Sequence, residues 1–162
     1  TYLAAAADPR IAVAVPCIGV QSFNHTFSND AAWRSRIETV QSAFDSAAKD
    51  SNVATPGADF VRTFYDRVAP GLYSDFDGPA MLPLIAPRPL LVIAPTLDRH
   101  SNPAAVSDAT EAVRGIYKLH DADDKLQVNT PREINRITRS MVSDLVKFYK
   151  SSTVDKGAAN KP

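Results

Sequence analysis

Two short and almost uninterrupted apolar runs constrain the fold of this chain more than any other feature. The stronger run, residues 89–95, reads Pro-Leu-Leu-Val-Ile-Ala-Pro, and the weaker one covers residues 11–18. Runs that are apolar at successive positions are typical of strands buried on both faces of a parallel sheet. For residues 11–18 a buried helix is the alternative, but Pro16 and the short length count against it. We therefore predict two buried parallel strands.

Helical patterns separate these strands. Residues 29–49 carry an apolar stripe at spacings of three and four, with Asn29 or Asp30 as the N-cap. The stripe consists of Trp33, Ile37, Val40, Phe44 and Ala47. A second helix is predicted after Thr55 and Pro56, with Thr55 as its cap. Its predicted buried face is formed by Phe60, Phe64 and Val68.

The second half of the chain continues this alternation. Residues 70–89 are rich in proline and predict an irregular connector, which is apolar enough to pack over the core. A helix begins after Ser101 or Asn102, with Pro103 in its first turn, and residues 125–129 alternate like a short edge strand. The last helix is predicted to open at residues 130–131. Its stripe is Ile134, Ile137, Met141, Leu145 and Phe148.

This order of elements predicts an α/β fold. Strands separated by helices form βαβ units, so we expect three mostly parallel strands, flanking helices and a helical insertion over about residues 28–70. One domain would cover residues 1–150, followed by a disordered tail over residues 151–162. Three strands leave two open sheet edges, and the first residues resemble the end of a helix. We therefore expect the chain to be part of a larger domain.

Composition excludes several classes of protein. Lysine and arginine number 18 against 18 acidic residues, which argues against a nucleic-acid binder that uses bulk positive charge and against a polybasic membrane-surface protein. No apolar run is long enough to span a membrane, and no signal peptide is visible. The single cysteine, Cys17, excludes an internal disulfide framework and favours a cytoplasmic location. Because Cys17 falls in a buried strand, it is expected to be inert.

Asp98 is the candidate acid. It follows the strongest strand, and ligands of open parallel sheets bind beyond the carboxyl ends of the strands. A carboxylate at this position can orient a catalytic imidazole. The alternative is a turn or capping residue, because Asp is common in such loops.

Two stretches resemble the α/β-hydrolase superfamily, in particular the dienelactone hydrolase, acetyl xylan esterase and prolyl oligopeptidase-like group. Residues 2–16, Tyr-Leu-Ala-Ala-Ala-Ala-Asp-Pro-Arg-Ile-Ala-Val-Ala-Val-Pro, resemble the segment after the nucleophile elbow. Residues 85–93, Ile-Ala-Pro-Arg-Pro-Leu-Leu-Val-Ile, are similar to the phrase that leads into the strand before the catalytic acid. The resemblance covers about residues 2–149 and implies a partial α/β-hydrolase fold in which Asp98 is the acid of a triad.

The chain departs from that family in two respects. It contains no Gly-x-Ser-x-Gly, so the resemblance implies a nucleophile upstream of residue 1. The loop after the last strand, where the family carries its histidine, has none and appears shortened, with Gln127 or Arg132 at about that position. Neither side chain can shuttle a proton at neutral pH. His100 is an alternative base, but it shares the loop of Asp98, and a polar loop residue is the simpler interpretation.

Other side chains are weaker candidates. Trp33, Phe60 and Phe64 are candidate substrate contacts, because insertions at this point often form a lid in such hydrolases, although core packing explains them equally well. His25 and His120 are interpreted as a loop histidine and a helix-terminal histidine, and the acidic residues 121–124 as a solvated turn. We expect no metal and no cofactor.

The resemblance implies the C-terminal portion of a serine hydrolase. Such an enzyme cleaves an ester or amide bond of a small-molecule or peptide substrate through an acyl-serine intermediate. This chain alone is expected to be inactive. The alternatives are a non-catalytic pseudoenzyme or interaction module derived from a hydrolase, and a truncated gene product.

Overall fold

Two parallel strands form the centre of the fold. In the computed structural model, which describes residues 1–28 and 33–154, β1 (Leu90–Ile93) pairs with β2 (Leu126–Asn129). All four residues of β1 are buried, because residues 11–18 lie along its other side. The described part of the chain is therefore a mixed helical and parallel-sheet fold, as predicted.

Residues 11–18 do not form the predicted third strand. They make isolated parallel bridges to β1 at Ala14 and Cys17 only. Pro16 has no amide hydrogen to donate to a ladder, although its carbonyl oxygen accepts from the Ile93 amide at 3.0 Å. Ile18, with a φ of 69°, then turns the backbone away. The segment thus follows the sheet without becoming a continuous strand.

The helices surround this small sheet. They are α1 (Tyr2–Ala7), α2 (Phe23–Ser28), α3 (Arg34–Ile37), α4 (Gln41–Asp50), α5 (Ala58–Val68), α6 (Gly78–Met81), α7 (Pro103–Leu119) and α8 (Arg139–Val154). Short 3-10 helices occupy Glu38–Val40, Leu82–Ile85 and Asp123–Lys125. No helix within the described residues combines the length and apolar character that a membrane span requires.

The predicted helix over residues 29–49 is broken in the structure. Its proposed caps, Asn29 and Asp30, lie outside the described residues. From Trp33 onward, α3 and α4 are separated by the 3-10 turn at Glu38–Val40, where the β-branched Thr39 and Val40 are adjacent and disfavour a regular helix. The predicted stripe is nevertheless buried at Trp33, Ile37 and Phe44.

Helix α5 also begins later than predicted. Its N-cap is Gly57, so Thr55 does not cap it. Phe64 is buried as predicted, whereas Val68, the last residue of the helix, is 58% exposed, and Val61 takes the buried position instead. The face that packs inward is therefore defined by Val61 and Phe64, one turn apart.

The proline-rich connector contains short helical turns and packs over the core, where Leu82 and Ile85 are fully buried. Arg88 follows it and ties the sheet to α1. Its Nη2 donates to the Ala5 carbonyl at 2.7 Å, and its Nη1 donates to the Ile11 carbonyl at 2.8 Å. One guanidinium thus connects the two segments that carry the family resemblance, residues 2–16 and residues 85–93.

The prediction that the last helix opens at residues 130–131 is wrong, because α8 begins at Arg139. Residues 130–138 form a loop, in which Ile134 and Ile137 are 53% and 63% exposed. The Pro131 and Glu133 carbonyls accept from Thr96 and Leu97 amides at 2.9 and 3.0 Å, which commits this backbone to tertiary contacts and not to a helix.

Three apolar clusters hold these elements. One lies between the sheet, α1 and α7, and includes Val92, Val113 and Tyr117. The opposite face of the sheet packs on α8 through Met141 and Phe148. A third cluster, which we call the aromatic cluster, belongs to the helical insertion and consists of Phe27, Trp33, Ile37, Phe44, Val61 and Phe64. The insertion therefore has an apolar core of its own.

The insertion leaves and rejoins the sheet region at one point. The buried carboxylate of Asp77 accepts from the Phe23 and Asn24 amides at 2.7 and 3.0 Å, at the start of α2. Next to it, a Cβ atom on Gly78 would lie 2.3 Å from the Gln21 carbonyl oxygen, so only glycine fits there.

Candidate functional site

Asp98 is the centre of the candidate site. It lies in the loop after β1 and is only 4% exposed. Its Oδ1 accepts from the His100 amide at 2.9 Å. Its Oδ2 is buried and has no hydrogen-bond partner among the described residues. A buried carboxylate oxygen without a partner destabilises a fold by about 1–3 kcal/mol or more, so this oxygen can accept a further hydrogen bond.

Three loops converge at this end of the sheet, because parallel strands present their carboxyl ends at one edge. The loop after residues 11–18 brings Gln21, which is 1% exposed. The loop after β2 runs beside the Asp98 loop, where the Leu97 amide donates to the Glu133 carbonyl. The loop between β2 and α8 covers residues 130–138, because α8 begins only at Arg139. Gln127 lies within β2 and not in this loop, whereas Arg132 lies in the loop and is exposed.

The helical insertion covers the same region with two charged side chains. With its amide oxygen turned toward the guanidinium, the orientation that satisfies both groups, Gln21 accepts from Arg36 Nη1 at 2.5 Å and from Nη2 at 3.3 Å. Glu38 Oε2 lies 3.4 Å from Arg99 Nη2 and 3.9 Å from His100 Nδ1. The insertion therefore contacts Gln21 and the Asp98 loop itself.

Burial lowers the pKa of the half-buried Arg36, and the carboxylate of Asp98 is the strongest of the groups that oppose this decrease. Tyr65 and Glu38 oppose it to a smaller extent. Arg36 and Asp98 thus interact electrostatically, although they come from segments 62 positions apart in the chain.

Among the described residues, no contact joins the imidazole of His100 to the carboxylate of Asp98. The backbone amide of His100 donates a hydrogen bond to Asp98 Oδ1. The His100 ring faces Glu38, and its Nε2 accepts a hydrogen bond from Arg99 Nε at 3.1 Å. The tight turn between positions 98 and 100 explains this arrangement. Its role as a base remains a prediction.

The other candidate side chains lie elsewhere in the fold. His25 is in α2, and His120 caps the C-terminus of α7. Cys17 is partly buried, and burial raises the pKa of its thiol, which keeps it protonated and weakly nucleophilic. Within the described ranges, no group of three or more His, Cys, Asp or Glu side chains could hold a metal ion.

The three predicted substrate contacts belong to the aromatic cluster or its border. The Phe44 ring lies 5.4 Å from both Phe60 and Phe64 and 6.3 Å from Trp33. Phe60 and Phe64 also line a groove of about 360 Å³ between α4 and α5, whereas Trp33 does not. These contacts account for the three side chains as packing residues, and substrate contact remains a prediction.

A separate cavity of about 260 Å³ opens at the carboxyl ends of β1 and β2, on the side of α7. Thr96, Thr110, Glu111 and Thr130 contribute to its wall, and Asp98 does not. The acid and the cavity thus lie at the same end of the sheet without forming one continuous site in this structure.

Sequence reasoning missed Gln21, Arg36 and Glu38. The available signal was a pair of charged residues, Arg36 and Glu38, on both sides of Ile37 in an apolar stripe. Such spacing predicts that the two side chains lie beside a buried helix face, but it does not predict which distant residues they contact. Comparison with known proteins assigns no family, since no protein-family model and no curated protein matches the chain.

Proposed function

We propose that this chain forms the C-terminal portion of a serine hydrolase of the α/β-hydrolase type, with Asp98 as the acid of its triad. The observation that supports this most is the buried Oδ2 of Asp98, which lacks a hydrogen-bond partner among the described residues at the carboxyl end of the central strand. The substrate class is a small ester or amide, cleaved through an acyl-serine intermediate.

The chemistry assigns one task to Asp98. Its Oδ2 accepts the Nδ1–H of an imidazole, fixes the tautomer of that ring and stabilises the ring when it takes a proton from the serine. The His100 amide on Oδ1 holds the carboxylate in place for this role. The serine comes from upstream of residue 1, and among the described residues His100 is the candidate base nearest to Asp98 in sequence.

The alternative proposal is a non-catalytic module derived from such a hydrolase. The observation that favours it is the loop over residues 130–138, which carries no histidine. Loss of the base removes acyl transfer but leaves the fold and its surface intact.

The deciding experiment uses the protein with its coding sequence extended upstream of residue 1 in the same frame. We expect a Gly-x-Ser-x-Gly there, labelling of its serine by a fluorophosphonate, and hydrolysis of p-nitrophenyl acetate. Asp98→Asn should lower kcat by roughly 10³- to 10⁴-fold, because the imidazole loses its orienting partner. Asp124→Asn, at an exposed carboxylate two residues before β2 begins, is the matched control. Absence of labelling, or equal loss in both variants, supports the non-catalytic alternative.

A further inference from the structure

Glu38 connects the helical insertion to the loop that carries Asp98. Its Oε2 accepts from Arg99 Nη2 at 3.4 Å and lies 3.9 Å from His100 Nδ1. Arg99 Nε in turn donates to His100 Nε2 at 3.1 Å. The three side chains therefore contact one another in a closed set, with one member on the insertion and two on the loop.

The turn that carries Glu38 is fixed to the rest of the insertion. Ile37, the preceding residue, is 4% exposed and belongs to the aromatic cluster. One position earlier, the Arg36 carbonyl accepts from the Tyr65 hydroxyl at 2.6 Å, which ties α3 to α5. Glu38 thus extends from a backbone that is held on both of these contacts.

The contacts of the His100 ring determine its tautomer. Because Nε2 accepts from Arg99 Nε, the proton of the neutral ring belongs on Nδ1. Nδ1 faces Glu38 at a distance beyond the usual range of a hydrogen bond. Arg99 is therefore the residue that fixes the tautomer directly, and Glu38 acts by holding Arg99.

His100 divides its groups between the acid and the insertion. Its backbone amide donates to Asp98 Oδ1 at 2.9 Å, whereas both ring nitrogens face Arg99 and Glu38. Asp98 Oδ2 is buried and has no hydrogen-bond partner among the described residues. An imidazole only two residues away is thus kept from the one oxygen of Asp98 that can accept a further hydrogen bond.

We propose that Glu38 is a positioning residue that, through Arg99, holds the His100 ring on the insertion as its Nδ1–H tautomer, away from Asp98 Oδ2. The meaning for catalysis, an acid that does not pair with the base candidate of its own loop while the insertion is in place, rests on the proposed function. The position of the ring does not.

The exposure of these side chains sets the size of the effect. Glu38 and Arg99 are 47% and 78% exposed, and ion pairs between exposed side chains are weak. We therefore expect loss of Glu38 to shift the balance between ring states by roughly 2- to 5-fold without unfolding the chain.

The experiment is long-range ¹H–¹⁵N NMR of the histidine rings of this chain at pH 8, where unperturbed imidazoles are neutral. In the wild type, His100 should be mostly Nδ1–H. The exposed His120, whose ring has no contact with the other described residues, supplies an unrestrained ring in the same spectrum. Glu38→Ala should shift the tautomer ratio of His100 roughly 2- to 5-fold toward that of His120. Hydrogen exchange of the His100 amide should not change, because its acceptor on Asp98 is intact.

Matched variants separate this role from a general loss of a surface charge. Arg99→Met should shift the His100 ring in the same direction, and Glu38→Ala should add less than half of its own effect in that background. Glu38→Gln keeps an acceptor oxygen and should give an intermediate ratio. Glu111→Ala removes another exposed glutamate that pairs with an arginine, Arg114, at 3.2 Å, and should leave His100 unchanged.

Three results would overturn the proposal. They are a wild-type His100 that is mostly Nε2–H, a His100 ring that does not respond to Glu38→Ala, and a faster exchange of the His100 amide in that variant, which would show that Glu38 supports the whole loop. If Glu38→Ala does not fold, the response of the ring to Arg99→Met and Glu38→Gln decides.

These outcomes are distinct from those of the hydrolase assay, because the NMR measurement needs no serine. A ring that is held by Glu38, in a protein without any hydrolysis, refutes only the proposed function. Hydrolysis that depends on Asp98, with a His100 ring that ignores Glu38, refutes only the positioning role.

Discussion

Asp77 and Asp98 are two buried carboxylates with opposite hydrogen-bonding states. The oxygens of Asp77 accept from three backbone amides and the Ser22 hydroxyl, whereas Asp98 accepts from one amide. A carboxylate with a complete set of donors stabilises the fold, and one with an open oxygen is available for a further partner. Of these two buried carboxylates, Asp98 is therefore the one with an oxygen that can accept a further hydrogen bond.

Tyr117 should make stability depend on alkaline pH. It is fully buried, its hydroxyl donates to the Arg88 carbonyl, and burial raises the pKa of this hydroxyl. A raised folded-state pKa contributes stability that is complete below the unfolded value of about 10 and is lost as the pH rises above it. We expect urea unfolding to show falling stability above about pH 10, and Tyr117→Phe to remove part of that fall.

The same substitution should lower stability at pH 7 by about 1 kcal/mol, because the buried carbonyl loses its donor. Tyr149→Phe, at a tyrosine that is 55% exposed, is the control and should leave the pH dependence unchanged. Equal pH dependence in the wild type and Tyr117→Phe would contradict the assignment to Tyr117.

At the scale of elements, the sequence predicts those whose signals are local. β1 is a continuous apolar run, and α7 has its cap at Asn102, whose side chain accepts from the Ala104 amide at 2.9 Å. Residues 130–138 show the limit of this approach, because their apolar spacing suits a helix while their carbonyls bond to the Asp98 loop. Such tertiary hydrogen bonds leave no periodic signal. The same limit applies to the candidate site. Asp98 could be predicted because it follows a strong strand, whereas no local sequence pattern predicts the position of Arg36.

Helix α2 should depend on a residue far from it in sequence. Asp77 serves as the acceptor for the first amides of α2, so Asp77→Asn replaces one oxygen with an amide that faces donors. We expect a loss of about 2–4 kcal/mol in urea unfolding. Asp75→Asn, at an exposed carboxylate two positions away, should change stability by less than about 0.5 kcal/mol. Similar losses in the two variants would refute the capping role.

At the scale of the whole molecule, the described residues form two apolar centres with different composition. The centre on the two faces of the sheet is mostly aliphatic, with Tyr117 and Phe148 as its buried aromatic rings, whereas the insertion is held by the aromatic cluster. Separate clusters of this kind open as separate units when stability is probed locally. The insertion is therefore expected to unfold before the sheet does.

Hydrogen exchange should detect this division. Phe44→Ala removes the ring that contacts Trp33, Phe60 and Phe64, and should cost about 3–5 kcal/mol within the insertion. We expect faster exchange over residues 34–68, with β1 and α7 unchanged. Val113→Ala, in the cluster of the sheet, is the matched variant and should accelerate exchange in α7. Uniform acceleration by Phe44→Ala would show that the two centres unfold together.

The meeting of Gly78 with Gln21 has a consequence for how the insertion relates to the rest of the fold. The two ends of this segment are in van der Waals contact through their backbones, and Asp77 joins them by hydrogen bonds. The insertion therefore begins and ends at nearly the same point of the fold. We expect that a short turn between these two ends can replace the segment, or that a segment of another length can take its place, without changing the path of the strands on either side.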